Sequence, residues 1–411
     1  GPAVARWKAT RVGVIGAGMM GSGIAYANAS RGLPVVLQDV TLERAEAGRD
    51  QSVRLTARQV ERGQLTSAQR DLLLARIQAT ADSEDLEGCD LIIEAVFEQS
   101  QLKGRVTRES EPLLSRGGIF ASNTSTLPIS ELAQATTRPE NFIGLHFFSP
   151  VDRMQLVEII KGRRTSGETI ARTYDYVRQL GKLPIVVNDS RGFFTSRVIG
   201  AFLNEATAML AEGIHPAVIE HAALQAGFPT GPLALLDEVS LTLAQSIANE
   251  ARLAAEAAGQ PYHESPGEAV IARMLEEFGR LGKAAGGGFY DYPSDPKARK
   301  RLWPGLRAFG GRAPAEPLES APLKDRLLYI QAIETARCLE EGVLESVRDA
   351  NIGSIFGFGY PGWTGGAAQF VNHVGARAFV QRAEELAASL GPRFAPPRIL
   401  LDLARSGGAL I

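Results

Sequence analysis

The first part of the chain alternates short apolar runs with longer stretches whose apolar positions recur three or four residues apart. "RVGVIGAGMMGSGIAYANASRGLPVVLQD" (11–39) reads as a buried strand, a glycine turn, a helix and a second strand. Further strand-like runs follow, "CDLIIEAV", "GGIFASNTS", "FIGLHFFSP", "LVEII" and "LPIVVND", to about residue 187. Such alternation predicts a largely parallel sheet flanked by helices. After "DSRGFF" the texture turns helical: Val198, Phe202, Ala206 and Leu210 recur every four residues, and no convincing strand follows. Residues 293–322, rich in Pro, Gly, Arg and Ala, read as a linker, after which helices resume. The expected division is a leading segment 1–10, a sheet domain 11–187, a helical domain 188–292, the linker 293–322 and a second helical domain 323–411.

The two helical stretches look like copies. "NEATAMLAEGI…AGFPTGP" (204–232) parallels "IETARCLEEGV…FGYPGWTGG" (333–366), with Gly213 and Gly342 offset by 129 residues and Pro229 and Pro361 by 132. A three-residue insertion accounts for the difference, and a duplicated helical domain is expected. Chance sharing of Ala, Glu and Gly between two helix–loop segments is the alternative.

Composition narrows the function more than the fold. The 411 residues are 45% hydrophobic, ample for two or three packed domains. With 44 basic against 46 acidic residues, the chain has no charge footprint for nucleic acid or an anionic membrane. Its two cysteines, Cys89 and Cys338, supply neither a disulfide framework nor a thiolate metal site, and a reducing cytoplasm is the expected compartment. No apolar run approaches the ~18 residues that span a bilayer, so no transmembrane segment is expected, and no signal pattern opens the chain. Gly1-Pro2 reads as a protease-cleavage scar, which makes an excised fragment the expectation.

Two constellations carry chemistry. Gly16-x-Gly18-x-x-Gly21 follows the apolar "VGVI" and opens a helix, with Met20 inside the motif. The first glycine permits a tight turn, the second lets backbone approach a pyrophosphate, and the third allows close helix–strand packing. The helix N-terminus then faces the phosphates with free N–H groups. Asp39 ends the second strand 21 residues after Gly18, where it can bond a ribose diol and repel a 2′-phosphate. A Rossmann-type, doubly wound sheet binding NAD in preference to NADP follows. The second constellation lies in "GLHFFSPVDRMQLVEII" (144–160), where His146 and Glu158 interrupt apolar strands. If the two strands are neighbours joined by the "SPVDRM" turn, each group accounts for the other's burial. Neutral histidine suits removal of a hydroxyl proton, and a buried carboxylate fixes its tautomer and answers the imidazolium. Taken singly, His146 is equally a hydrogen-bonded core histidine and Glu158 a strand-edge charge.

"GVIGAGMMGSGIA", "ASNTSTLPIS", "GLHFFSPVDRMQLVEII" and "DSRGFFTSRV", in this order, resemble the L-3-hydroxyacyl-CoA dehydrogenase family over roughly residues 10–290. The later "EEGV", "GFGYPGWTGG" and "PPRILLDLA" further resemble the C-terminal half of the multifunctional alpha subunits of bacterial fatty-acid β-oxidation complexes. The resemblance implies a Rossmann-type domain followed by two all-α domains, the second packed on the first as a pseudo-dimer. It implies NAD-dependent oxidation of (S)-3-hydroxyacyl-CoA to 3-ketoacyl-CoA in fatty-acid β-oxidation. It also implies an enoyl-CoA hydratase domain N-terminal to this segment and a possible thiolase subunit as partner. His146 matches the catalytic base, Glu158 the acid that orients it, and Ser125 a serine bonded to the reacting oxygen near the nicotinamide. Glu98 and Lys103 match positions lining the cofactor and CoA side. Three departures stand out: Ser149 and Ser196 replace family asparagines, and Ala284 follows Lys283 where a second lysine is common. Ser149 is assigned to the cofactor side and Ser196 to the substrate oxygen. Two other readings stay open: an assembly module with a weakened dehydrogenase site, and a dehydrogenase of free 3-hydroxy acids.

Overall fold

The computed structural model describes residues 6–257, 259, 261, 262, 264–295, 298–310 and 320–411. The expected scar at Gly1-Pro2 and part of the expected linker, residues 296, 297 and 311–319, lie outside the described residues. The chain forms two compact units, Gly1–Ser196 with Glu341–Gly357, and Arg197–Glu340 with Phe358–Ile411.

The first unit is built on one eight-stranded sheet: β1 (Val12–Ile15), β2 (Val35–Gln38), β3 (Ile77–Thr80), β4 (Cys89–Glu94), β5 (Leu114–Ser122), β6 (Phe142–Phe147), β7 (Leu156–Lys161) and β8 (Leu183–Asn188). The order is β3-β2-β1-β4-β5-β6-β7-β8. Neighbours are parallel except β6 and β7, so the last two strands run against the other six. The connecting helices are α1 (Met19–Ser30), α2 (Leu42–Glu61), α3 (Ser67–Leu74), α4 (Ser100–Ser110), the single turn α5 (Ile129–Leu132) and α6 (Gly167–Gln179). Central strands such as β1 and β7 are buried on both faces, and for that reason read as unbroken apolar runs. Edge strand β3, "IQAT", is only half buried and carries no such run, which is why periodicity does not find it.

At the opposite edge, residues 341–357 cover β8, although they fall inside the 323–411 stretch. The outward amides of an edge strand need partners. Asn188 N donates to Val343 O at 2.8 Å and Val186 N to Asp349 Oδ2 at 3.3 Å. Lys161 pairs with Glu345 at 3.0 Å.

The second unit is helical. Helix α7 (Thr195–Ala211) starts at the end of the first unit and is followed by α8 (Pro216–Ala226), α9 (Pro232–Val239), α10 (Leu241–Ala257) and α11 (Glu268–Glu276). A two-residue pair, β9 (Tyr290–Asp291) with β10 (Arg301–Leu302), precedes α12 (Ala321–Glu340), α13 (Val347–Phe358), α14 (Ala367–Val374), α15 (Ala376–Leu390) and α16 (Arg398–Ser406). Part of the expected linker is folded: Leu306 and Phe309 are buried, Trp303 packs edge-on to Phe278 at 4.9 Å, and Arg273 lies 4.7 Å over Phe309.

The duplication is visible in the backbone. Helices α9 and α14 both have eight residues and end on near-identical dihedrals, Ser240 (φ 86°, ψ 131°) and Gly375 (φ 87°, ψ 130°). Contacts between the copies are reciprocal. Arg197 bonds Glu334 and Arg326 bonds Glu205, each residue lying 129 positions from its counterpart. A methyl group on Gly227 would stand 3.2 Å from Pro361, and one on Gly359 2.7 Å from Pro229. Phe228 meets its own counterpart Tyr360 edge-on at 5.9 Å. A contact i–j repeated as j–i is what a two-fold relation generates. Among the described residues no helix is long and apolar enough to cross a membrane, and no group of His, Cys, Asp or Glu is placed to hold a metal.

Candidate active site

Strand β1 delivers the glycine turn. Gly16 has φ 94°, and a methyl group there would stand 2.8 Å from Ala95 O. One on Gly21 would stand 1.7 Å from Gly16 O, so α1 lies directly on the turn. Gly18 is different: an added methyl meets nothing within 4 Å, and this open side lies at the N-cap of α1. Helix α1 has no side-chain cap and no acid in its first turn, which Met20 shares. Its leading N–H groups are therefore available to an anion. Asp39 follows β2 and accepts Ala17 N and Val40 N, both at 2.7 Å, tying the turn to the second strand. Each carboxylate oxygen keeps a further lone pair for a ribose hydroxyl. Val40 and Leu42 expose apolar side chains beside it, at 74% and 45%, suited to the face of a base. Arg44 stands 4.0 Å from Asp39. Neither the apolar pair nor Arg44 was distinguishable in the sequence from ordinary surface residues. The residues fit NAD: pyrophosphate at Gly18 and α1, ribose at Asp39.

Strands β6 and β7 are adjacent and antiparallel, with His146 directly opposite Glu158. His146 Nδ1 lies 2.9 Å from Glu158 Oε2, and Glu158 is fully buried. Three further donors reach Glu158: Phe194 N at 3.0 Å, Thr195 N at 3.2 Å and Thr195 Oγ1 at 2.7 Å. With its oxygens facing these donors, the Glu158 side chain accepts from Nδ1–H. That leaves the Nε2 lone pair of His146 as the proton acceptor. Phe148 packs on the imidazole at 4.3 Å and holds its plane.

A second buried network sits beside the first. Glu98 Oε1 accepts Thr124 Oγ1 at 2.6 Å, Ser125 N at 2.9 Å and Ser125 Oγ at 3.3 Å. Burial alone would push its carboxyl up, but Lys103, Thr124 and the amides of Ser125 and Thr126 together hold it below the ordinary range. Lys103 is 1% exposed; its Nζ bonds both oxygens of Glu94 at 3.1 and 3.0 Å and Asn123 O at 3.0 Å, and it stands 3.4 Å from Glu98. These bonds tie Lys103 to Glu94, Glu98 and Asn123 inside the protein. Burial pushes Glu94 up in spite of Lys103 and the Ser122 hydroxyl. Asn123 in turn accepts Phe147 N at 3.0 Å, joining this network to the residue after His146.

The departures from the family pattern are placed as follows. Ser149 is exposed, with Oγ 3.6 Å from Met19 Sδ at the start of α1. Ser196 is half buried on the first turn of α7, next to Thr195. Lys283 is exposed and pairs with Glu238. Glu94 and Thr195 are the residues that sequence reading undervalued. Glu94 ends the apolar "LIIE" just as Glu158 interrupts "LVEII", so the same signal was present.

Comparison with known proteins agrees with this geometry. Residues 11–190 match the family described as 3-hydroxyacyl-CoA dehydrogenase, NAD binding domain, and residues 192–292 the 3-hydroxyacyl-CoA dehydrogenase, C-terminal domain. The chain is 36% identical over 401 residues to the fatty acid oxidation complex subunit alpha of Shewanella amazonensis, covering 97% of this chain and 56% of that protein. It thus spans about half the length of the curated relative it matches. A 3-hydroxybutyryl-CoA dehydrogenase structure from Escherichia coli K12 superposes with a TM-score of 0.81 at 25% identity, covering 97% of this chain and 99% of that one. An (S)-3-hydroxybutyryl-CoA dehydrogenase from Ralstonia eutropha gives a TM-score of 0.64 at 35% identity, covering 70% of this chain and all of its own, 100%. With the glycine turn at the head of β1 and both parts of the family pattern matched in order, the chain belongs to the 3-hydroxyacyl-CoA dehydrogenase family.

Proposed function

We propose that the chain oxidises (S)-3-hydroxyacyl-CoA to 3-ketoacyl-CoA with NAD, using His146 as general base and Glu158 to orient it. The observation that carries this reading is the Nδ1–Oε2 bond of 2.9 Å between facing strands, with Glu158 held by three other donors. Bound at Gly18, α1 and Asp39, NAD would accept the hydride. The protein's part is the proton. His146 Nε2 takes it from the substrate hydroxyl, and Glu158 stabilises the imidazolium without itself becoming protonated. Ser125 is held by Glu98 through its amide at 2.9 Å, while the 3.3 Å hydroxyl contact is long enough for an incoming oxygen to replace. Lys103 and Glu94 keep Glu98 in place from behind. Ser149 is assigned to the cofactor side and Ser196 to the substrate oxygen on the family pattern.

The test is kinetic. The wild-type chain should reduce acetoacetyl-CoA with NADH and leave acetoacetate untouched. His146→Gln should lose ~10²–10⁴-fold in kcat, the usual effect of deleting a positioned base. NADH affinity should stay within a few-fold, because the glycine turn is unaltered. Retention of more than a tenth of kcat would sink the assignment. The relative from Shewanella amazonensis is named as a complex subunit and extends well beyond this segment. On that basis, and on the resemblance of the sequence motifs, we propose that the natural polypeptide also carries a hydratase domain N-terminal to this one and pairs with a thiolase in the cytoplasm. The length of the native reading frame and co-purification decide both points.

A further inference from the structure

The connection 148–155 joins the strand of His146 to the strand of Glu158, and it also lies against the helix of the glycine turn. Val151 is buried against α1: a methyl group on Gly23 would stand 2.8 Å from Val151 Cβ. Ser149 Oγ approaches Met19 Sδ at the start of the same helix. Pro150 O accepts Arg153 N and Met154 N, both at 3.0 Å, which folds the connection into a tight turn. Two of its carbonyls then converge on one cation. Lys182 Nζ donates to Val151 O and to Met154 O, each at 2.6 Å, and Lys182 is buried. The next residue closes the far end, with Leu183 N donating to Gln155 O at 2.8 Å.

The bonds of this buried ammonium go to neutral carbonyls rather than to a carboxylate. Asp152 faces it from the connection and Arg31 from the end of α1, where Arg31 also bonds Leu180 O at 3.0 Å. Tyr26 of α1 faces Asp152 in turn. The last charged residue of α6, Arg178, is exposed, and β8 carries none. Burial pushes the Lys182 ammonium down to about 8, with Asp152 opposing and Arg31 assisting. Below that pH the fold carries a cation that the unfolded chain would hold in water at less cost. The cost fades as pH rises toward the ordinary lysine value. An aliphatic side chain would avoid it, so the charge is kept for what it holds. We propose that Lys182 is a positioning residue for the cofactor: by holding both carbonyls it seats the connection 148–155 on α1 and keeps Ser149 at the start of that helix. This rests on the proposed binding of NAD at Gly18 and α1. A neutral amine still has two N–H donors, but bonds from an ammonium are about twice as strong, so loss of the proton loosens the seat without emptying it.

The experiment titrates NADH, followed by its fluorescence, into wild type, Lys182→Met and Lys182→Arg from neutral pH to about pH 9.5, without substrate. In wild type the Kd should rise about three- to tenfold through the pH at which Lys182 loses its proton. Lys182→Met should bind about tenfold more weakly already at neutral pH and show no step. Lys182→Arg stays charged throughout, and should bind as wild type does at neutral pH and lose the step. A Lys182→Met protein that melts earlier but keeps the wild-type Kd and its step has lost a merely structural lysine, which overturns the inference. Should Lys182→Met fail to fold, the wild-type titration decides, since a Kd that stays level across the range overturns the inference by itself. Hydrogen exchange gives a readout without cofactor: the segment 148–155 should exchange at least fivefold faster in Lys182→Met than in wild type at one pH, about 1 kcal/mol of protection. Unchanged exchange there also overturns the inference. Failure of wild type to bind NADH at any pH would overturn the cofactor reading and the inference with it, whereas normal binding without a step overturns the inference alone.

Discussion

Asp39 does two jobs that the sequence shows as one. Its oxygens hold Ala17 N and Val40 N at 2.7 Å, so it shapes the glycine turn as well as serving the ribose role proposed for it. Replacing it by serine removes the charge that repels a 2′-phosphate and leaves Arg44, 4.0 Å away, free to attract one. Asp39→Ser should raise the NADP/NAD ratio of kcat/KM at least tenfold, about 1.4 kcal/mol. The loosened turn should cost ~1 kcal/mol of stability. A ratio that does not move would place the ribose elsewhere. His146 and Glu158 were legible because a lone ionisable group in an apolar strand demands a partner, and strand spacing offered only one. Glu94 made the same demand, but its partner lies on a helix nine residues later, and a lysine on a polar helix looks solvated until its burial is known. Charge pairs across a strand pair can be read from register; pairs that depend on how a helix is rotated cannot.

Among the elements, the junction between α9 and α10 shows what duplication makes testable. Ser240 adopts φ 86°, ψ 131°, a conformation that costs a residue with a Cβ about 1–3 kcal/mol, and the second copy has Gly375 at the same angles. Ser240 gives back little, since its Oγ accepts Leu243 N only at 3.4 Å. Ser240→Gly should therefore stabilise the protein by roughly 1 kcal/mol, read as a higher midpoint in thermal unfolding. A lower midpoint would mean that the hydroxyl cap outweighs the backbone strain. Elements buried on both sides were the legible ones. Strand β3 escaped because an edge needs few apolar residues, and the folded turn at Trp303–Phe309 escaped because Pro, Gly and Arg dominate its surroundings. Placement of 341–357 on β8 also lay beyond reach, because backbone amides at a sheet edge leave no trace in side-chain pattern.

At the scale of the molecule, the reciprocal ion pairs bind the helical copies together unequally. Arg326 is buried against Glu205 and Glu212, and Arg393 reaches Glu205 at 2.5 Å. Arg326→Leu should cost about 3 kcal/mol, because buried Glu205 loses one of its two guanidinium partners and keeps only Arg393. Arg326→Leu combined with Glu205→Leu should cost less than the single change, since Arg393 still has Glu212 at 3.5 Å. Calorimetric unfolding decides this, and a double variant weaker than the single would refute it. The order of the domains was visible in the chain because their periodicities differ; the identity of each copy's task was not, since both read as the same succession of helices. The i–j and j–i contacts carry a further implication for divergence. In a true homodimer a single codon change alters both halves of the interface and both sites at once. In a tandem copy it alters one. Gly200 and Tyr329, 129 positions apart, show that freedom in use: each copy carries its own residue, with no compromise needed to serve both.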